Sequence, residues 1–141
     1  GKGLGRLAQF NGDYYKKTTE AEKFDEKKYQ KKMKSPKQAS HVIAICYERL
    51  GHRKDKNILE TEEIEATACA VQNMHLLATA YGVGAYWSSG GTVYSQEMRE
   101  FLGLKEDWHC LGLFYIGNTD IYDSYRGART PIQDKVQWLE E

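Results

Sequence analysis

A long stretch in the middle of the chain carries no charged side chain. There is no Asp, Glu, Lys or Arg between Ala66 and Gln96. About 20 consecutive apolar residues can span a bilayer. Here Gln72, Asn73 and His75 interrupt the stretch, and unpaired polar groups are costly in lipid. We therefore expect this stretch to lie in the core of a soluble domain and predict no membrane partner.

The composition fits one ordinary globular domain. The 141 residues include 20 basic and 20 acidic side chains, so the chain has no formal net charge. A domain of this size buries enough surface to be stable without a structural metal ion or a disulfide bond. Balanced charge argues against a strongly basic nucleic-acid binder. We predict a single domain over residues 1–141, with no nucleic-acid partner and no metal site.

The cysteines indicate whether the protein lies in a reducing or an oxidising compartment. Cys46, Cys69 and Cys110 lie in apolar runs and form no Cys-x-x-Cys pair. The sequence thus predicts three buried thiols in a reducing environment. No secretory signal is visible at the start of the chain. A cytoplasmic location follows as an expectation.

The clearest predicted element is a helix of about 20 residues. Thr61 can cap it, Glu62 and Glu63 suit its positive N-terminal end, and Gly82 can close it. Apolar or small side chains cover nearly every face from Ala66 to Ala80. The pattern therefore predicts a helix buried in the middle of the molecule.

Two apolar runs predict strands covered on both faces. The runs are His41 to Tyr47, which we expect to be central in a sheet, and His109 to Gly117. Between them, a short helix from Gln96 to Leu102 is predicted to begin after Ser95 and to end at Gly103.

The first 40 residues predict two further helices. The first is short and lies within Leu4 to Tyr15, and the second covers the lysine-rich stretch Lys23 to Lys37. Those lysines could form a phosphate or nucleic-acid patch, but a helix with a charged solvent face explains them better. Ser35-Pro36 is predicted to break this helix. A loop is expected from Glu48 to Glu60.

Two short segments could bind a ligand, although neither is a standard catalytic motif and no catalytic residue is assigned. The loop from Tyr86 to Gly91 contains glycines that allow close backbone approach, and its free N–H groups could donate to a planar polar ligand. From the residues alone, a plain turn is the favoured interpretation. Near the C-terminus, Arg126 and Arg129 could hold a phosphate through forked hydrogen bonds. From the residues alone, a solvated surface pair is the favoured interpretation.

Taken in order, these segments resemble the nitroreductase family. The long helix carries Gln72-Asn73, followed by a run rich in Leu and Ala that ends in Gly82-Val83-Gly84 and then Trp87. That order is typical of the central helix and the following loop in this family. The apolar strand before the helix and the strand ending at Gly117 also come in the family's order. The resemblance covers roughly residues 1 to 138.

The resemblance implies an α+β fold, an α-β-α sandwich with a mixed, mainly antiparallel sheet. It also implies a homodimer with FMN bound at its interface. NAD(P)H would reduce the flavin, which would pass electrons to a nitroaromatic, a quinone or a similar acceptor by a ping-pong mechanism. By motif position, Trp87, Ser88, Ser89 and Gly90 match the loop beside the flavin ring. Arg129, with Arg126, matches the basic residues that hold the FMN phosphate.

The family's first helix, with its Arg-x-Ser motif, and the strand after it have no counterpart in the sequence. We therefore expect an N-terminally truncated form of the fold, with weaker flavin binding if this is the entire polypeptide. A flavin-free structural or interaction protein that keeps the dimer surface is the alternative. The colour of bound flavin in the purified protein distinguishes the flavin-dependent enzyme from the flavin-free interaction protein.

Overall fold

The computed structural model describes residues 1–50, 57–120 and 127–139. The helices are α1 (Lys2–Thr18), α2 (Glu26–Gln38), α3 (Glu60–Ala80) and α4 (Gln96–Leu102). The strands are β1 (His41–Glu48), β2 (Gly84–Ser88) and β3 (Trp108–Gly117). Short 3₁₀ turns lie at Ala21–Lys23, Gly91–Tyr94 and Ile132–Asp134. Of the predicted loop from Glu48 to Glu60, the first residue ends β1 and the last begins α3, and residues 51–56 lie outside the described part.

The described strands form one sheet in the order β1-β3-β2, and both pairings are antiparallel. β3 is the central strand, so the prediction that the run starting at His41 is central was wrong. Within the described sheet β1 lies at an edge, and its Ile43 is 41% exposed. Both runs are rich in β-branched and large apolar residues. Such a composition does not determine which of the two strands pairs with a neighbouring strand on both sides.

Helices cover both faces of the sheet. Leu7 of α1 and Met98 of α4 pack with Leu113 on one face. On the other face, Val71 of α3 packs with Phe114 and Ile45. This layering confirms the predicted α+β class and the mainly antiparallel α-β-α sandwich.

A bulge interrupts the pairing of β1 with β3. Ile45 lies opposite Gly112, whereas the next residue, Cys46, lies opposite Cys110. Leu111 is therefore the extra residue on β3, which allows Cys110 and Leu113 to face the same core cluster.

The ends of α3 match the prediction only in part. Gly82 follows the helix with φ of 65°, as predicted for a left-handed closing residue. At the start, α3 begins one residue before Thr61, so Thr61 is not its cap. Instead the Glu62 carboxylate accepts a hydrogen bond from the N–H of Leu59 at 3.0 Å. A carboxylate in the first turn can accept a hydrogen bond from a backbone N–H at the helix start, which a Leu side chain cannot do.

The expected burial of α3 on all faces was wrong for this chain. Val71 is buried, but Leu76 and Leu77 are each 59% exposed on the side away from the sheet. Cys69 on the same helix is also exposed, and of the three thiols only that of Cys110 is fully buried. A single sheet covers only one side of a helix. A helix with apolar side chains on every face therefore keeps about half of its apolar surface uncovered.

Pro36 does not end α2, contrary to the prediction. The helix continues for two residues beyond it, to Gln38, and Pro36 is buried. A proline in the last turn removes one hydrogen bond near an end where several carbonyls lack helical partners anyway. By contrast, α4 agrees with the sequence: Ser95 Oγ accepts from the N–H of Met98 at 3.1 Å, and Gly103 has φ of 66°.

Candidate functional site

An open groove of about 1340 Å³ lies where α2 faces β2, the end of β3 and the loop after β2. Ligand sites for small molecules commonly occupy about 300–1,000 Å³. The groove is therefore large enough for a small-molecule ligand. Three of the residues predicted to contact a cofactor, Ser88, Ser89 and Gly90, line one side of it.

The chain leaves the sheet after Ser88, at the end of β2, and this fixes the position of the loop that follows. Ser88 is the last residue of β2 and pairs with Leu113, and the turn begins when the N–H of Val93 donates to the carbonyl of Gly90 at 2.9 Å. Among the described residues, the N–H groups of Ser89 and Gly90 donate to no acceptor. Two backbone donors at the edge of the groove are thus available to a ligand.

Trp87 lies just outside the groove. Its side chain packs on the α3 side of the sheet, beside the cluster formed by Val71 and Phe114. The indole N–H is buried and has no hydrogen-bond partner among the residues that the structure describes. A contact of Trp87 with a cofactor stays a prediction.

Arg129 reaches the groove from the C-terminal segment. Within the described ranges, its guanidinium donates only to the carbonyl of the adjacent Ala128, at 3.1 Å. Most of its five N–H donors are therefore available to an anion. Arg126, the other predicted phosphate ligand, lies outside the described residues.

Three lysines also line the groove, although the sequence pattern predicted a solvent-facing position for them. They are Lys28, Lys31 and Lys32 of α2. The ammonium of Lys32 lies 5.6 Å from the centre of the Tyr15 ring, a cation–π distance that holds it in place. No Asp or Glu is among the described groove residues. The groove therefore favours an anionic ligand.

Tyr115 of β3 supplies a neutral polar group on the same wall. Burial, chiefly, raises the pKa of its hydroxyl, while a hydrogen bond with Asn11 acts in the opposite direction. Tyr86 lies directly opposite on β2, with the two ring centres 6.3 Å apart. Tyr115 therefore stays protonated near neutral pH and can both donate and accept a hydrogen bond.

The fold and the groove together define an α+β protein with a ligand-binding site. Helices flank an antiparallel sheet, and free backbone donors and cations line an open site suited to an anionic ligand. Among the described residues, no helix is both long and apolar enough to cross a membrane.

Comparison with known proteins identifies the family. Residues 7–118 match the model of the Nitroreductase family, which is well over half of the chain. The chain therefore belongs to the nitroreductase family, as the sequence resemblance predicted.

Two bacterial relatives carry provisional names as NAD(P)H nitroreductases. YfhC of Bacillus subtilis is 31% identical over 74 residues, which are 52% of this chain and 38% of YfhC. YdjA of Escherichia coli K12 is 28% identical over 97 residues, which are 69% of this chain and 51% of YdjA. The chain thus spans about half or less of the length of these relatives.

Solved structures share the fold. A nitroreductase-like family protein from Bacillus cereus matches with a TM-score of 0.68 and 27% identity, covering 100% of this chain and 70% of that protein. The FMN and NADPH-dependent nitroreductase NfnB of a Sphigopyxis strain matches with a TM-score of 0.61 and 15% identity, covering 96% and 60%. At that identity the second match supports the fold alone.

Proposed function

We propose that this chain is one domain of an FMN-dependent oxidoreductase that transfers electrons from NAD(P)H to a nitroaromatic, a quinone or a similar small acceptor. The observation that carries the proposal is the groove itself. It combines unpaired backbone donors at Ser89 and Gly90 with the guanidinium of Arg129, and it lacks a carboxylate among its described residues.

The residues present fit FMN in their chemistry. A flavin ring has a polar edge that accepts hydrogen bonds, and the N–H groups of Ser89 and Gly90 would hold and orient that edge. The ribityl phosphate needs cations, which Arg129 would supply together with Arg126. Bound FMN supplies the redox chemistry, and the protein supplies its position and surroundings.

The open side of the groove leaves room for the two substrates. NAD(P)H and the electron acceptor would use the same exposed cofactor face in turn, which is the ping-pong mechanism. Tyr86 and Tyr115 line that part of the groove and would pack against or hydrogen-bond a planar substrate. The relatives' names support NAD(P)H as the electron donor.

A homodimer belongs to the proposal because α3 presents an apolar surface that the described residues do not cover. Leu76, Leu77 and Tyr81 are 59%, 59% and 81% exposed. Large exposed apolar patches mark interaction surfaces. A second copy of α3 would bury these side chains and bring two copies of the fold together. The cytoplasmic location remains a prediction from the sequence.

Flavin titration tests the proposal directly. We expect the purified protein to be yellow, or to bind added FMN, with an absorbance band at about 450 nm that NAD(P)H bleaches under anaerobic conditions. A protein that stays colourless after FMN is added would contradict the proposal and favour the flavin-free interaction protein.

A further inference from the structure

Two cysteine side chains face each other across the sheet. Cys46 of β1 lies directly opposite Cys110 of β3, next to the bulge. Both belong to the core cluster on the side of α1 and α4. Residues directly opposed in an antiparallel pair have Cα atoms about 4.5–5.5 Å apart, and disulfides need about 4.4–6.8 Å. The backbone therefore already holds the two residues at disulfide spacing.

The two thiols differ in exposure and in acidity. Cys110 is only 3% exposed, whereas Cys46 is only half-buried. The hydrogen bond between the two side chains is the largest cause of both pKa shifts. It lowers the pKa of Cys110 and raises the pKa of Cys46. Cys110 is therefore the sulfur that more readily carries negative charge, and it lies opposite the less buried of the two cysteines.

We propose that Cys46 and Cys110 form a reversible disulfide between β1 and β3 when the protein meets a peroxide. In the first step the Cys46 thiol passes its proton to the hydrogen-bonded Cys110 thiolate while the Cys46 sulfur takes one oxygen from hydrogen peroxide. The O–O bond breaks, and the hydroxide that leaves takes up this proton from Cys110, giving a Cys46 sulfenic acid, a Cys110 thiolate and one water. The Cys110 thiolate then attacks the Cys46 sulfur. Hydroxide leaves and takes up from solvent the proton that Cys110 gave up when it first ionised, giving the disulfide and a second water.

The pairing is specific to these two residues. Cys69 is exposed on α3, on the other face of the sheet, so it cannot reach Cys110 without unfolding. The redox site is also independent of the proposed cofactor, because neither thiol lines the groove.

The test uses the Cys69→Ser chain, which keeps only the pair. After exposure to hydrogen peroxide we expect both alkylatable thiols to disappear and the intact mass to fall by two hydrogen atoms. Peptide mapping should recover a single linked species containing Cys46 and Cys110, and a thiol reductant should restore both thiols.

The matched control adds Cys46→Ser to the same background. Its buried Cys110 should keep its thiol under the same treatment, and circular dichroism should confirm that this variant is folded. The proposal is overturned if the Cys69→Ser chain retains both thiols. It is also overturned if that chain gains oxygen atoms on Cys46 while Cys110 stays reduced.

Discussion

Gly112 occupies a position where no side chain fits. A Cβ built there would meet the Trp87 indole and lie 2.8 Å from the carbonyl oxygen of Ser88, which is backbone and cannot swing away. We expect Gly112→Ala to lower the free energy of unfolding by about 1–3 kcal/mol, the usual effect of overpacking. Urea-induced unfolding followed by circular dichroism measures the change.

Gly117 on the same strand provides the matched control. Its nearest neighbour to a built Cβ is the backbone nitrogen of Ser40 at 3.5 Å, an ordinary van der Waals distance. Gly117→Ala should therefore change stability much less than Gly112→Ala. Equal losses in the two variants would mean that the contact with Trp87 and Ser88 is not what requires glycine.

The sequence identified some of the groove residues but not others. Ser89 and Gly90 could be found because small residues after an apolar run indicate a loop with free backbone donors. Lys28, Lys31 and Lys32 were missed because lysines on an exposed helix look the same whether they face bulk water or a groove. Only tertiary packing, which places α2 beside the end of β3, distinguishes the two cases.

A hydrogen bond connects β1 to the first residue of α3. The Tyr47 hydroxyl donates to Glu60 Oε1 at 2.6 Å. Burial first, and this bond second, raise the pKa of Tyr47 to about 12. In the unfolded chain the hydroxyl titrates at about 10. The folded protein therefore holds the proton more tightly, and this contribution to stability, complete below about pH 10, is lost as the pH rises through about 12.

Tyr47→Phe isolates that contribution from the titration of the lysines. At about pH 9 we expect the variant to be less stable than the wild type by about 0.5–1.5 kcal/mol, the net value of one hydrogen bond. The difference should shrink between about pH 10 and pH 12. Denaturant unfolding of both proteins across this range checks it, and a constant difference would contradict the assignment.

Helix ends were more predictable than sheet order. Ser95 and Gly103 define α4 through local contacts, and local contacts are what a sequence pattern encodes. Pro36 misled the prediction because its effect depends on its place within the last turn of a helix. The central strand could not be predicted at all, because two similar apolar runs compete for it and pairing between distant segments decides.

The uncovered face of α3 predicts the state of the whole protein in solution. We expect the wild-type protein to be a dimer by analytical ultracentrifugation. Leu77→Asp should raise the dimer dissociation constant by at least about tenfold, because burying an unpaired carboxylate costs more than about 1.4 kcal/mol.

The control places the same charge far from α3. Ala21 is exposed in the turn between α1 and α2, so Ala21→Asp should leave the dimer unchanged. A wild-type monomer, or equal weakening by both substitutions, would show that α3 is not the dimer surface.

The central claim is that the groove holds FMN, and affinity for FMN tests it most directly. Titrating FMN into the wild type, Arg129→Ala and Lys135→Ala compares a cation that lines the groove with one that does not. We predict that Arg129→Ala weakens binding by about 1.5–3 kcal/mol, the range for hydrogen bonds to a charged group, while Lys135→Ala binds as the wild type does. Unchanged affinity in Arg129→Ala, or no binding by the wild type, would contradict the account.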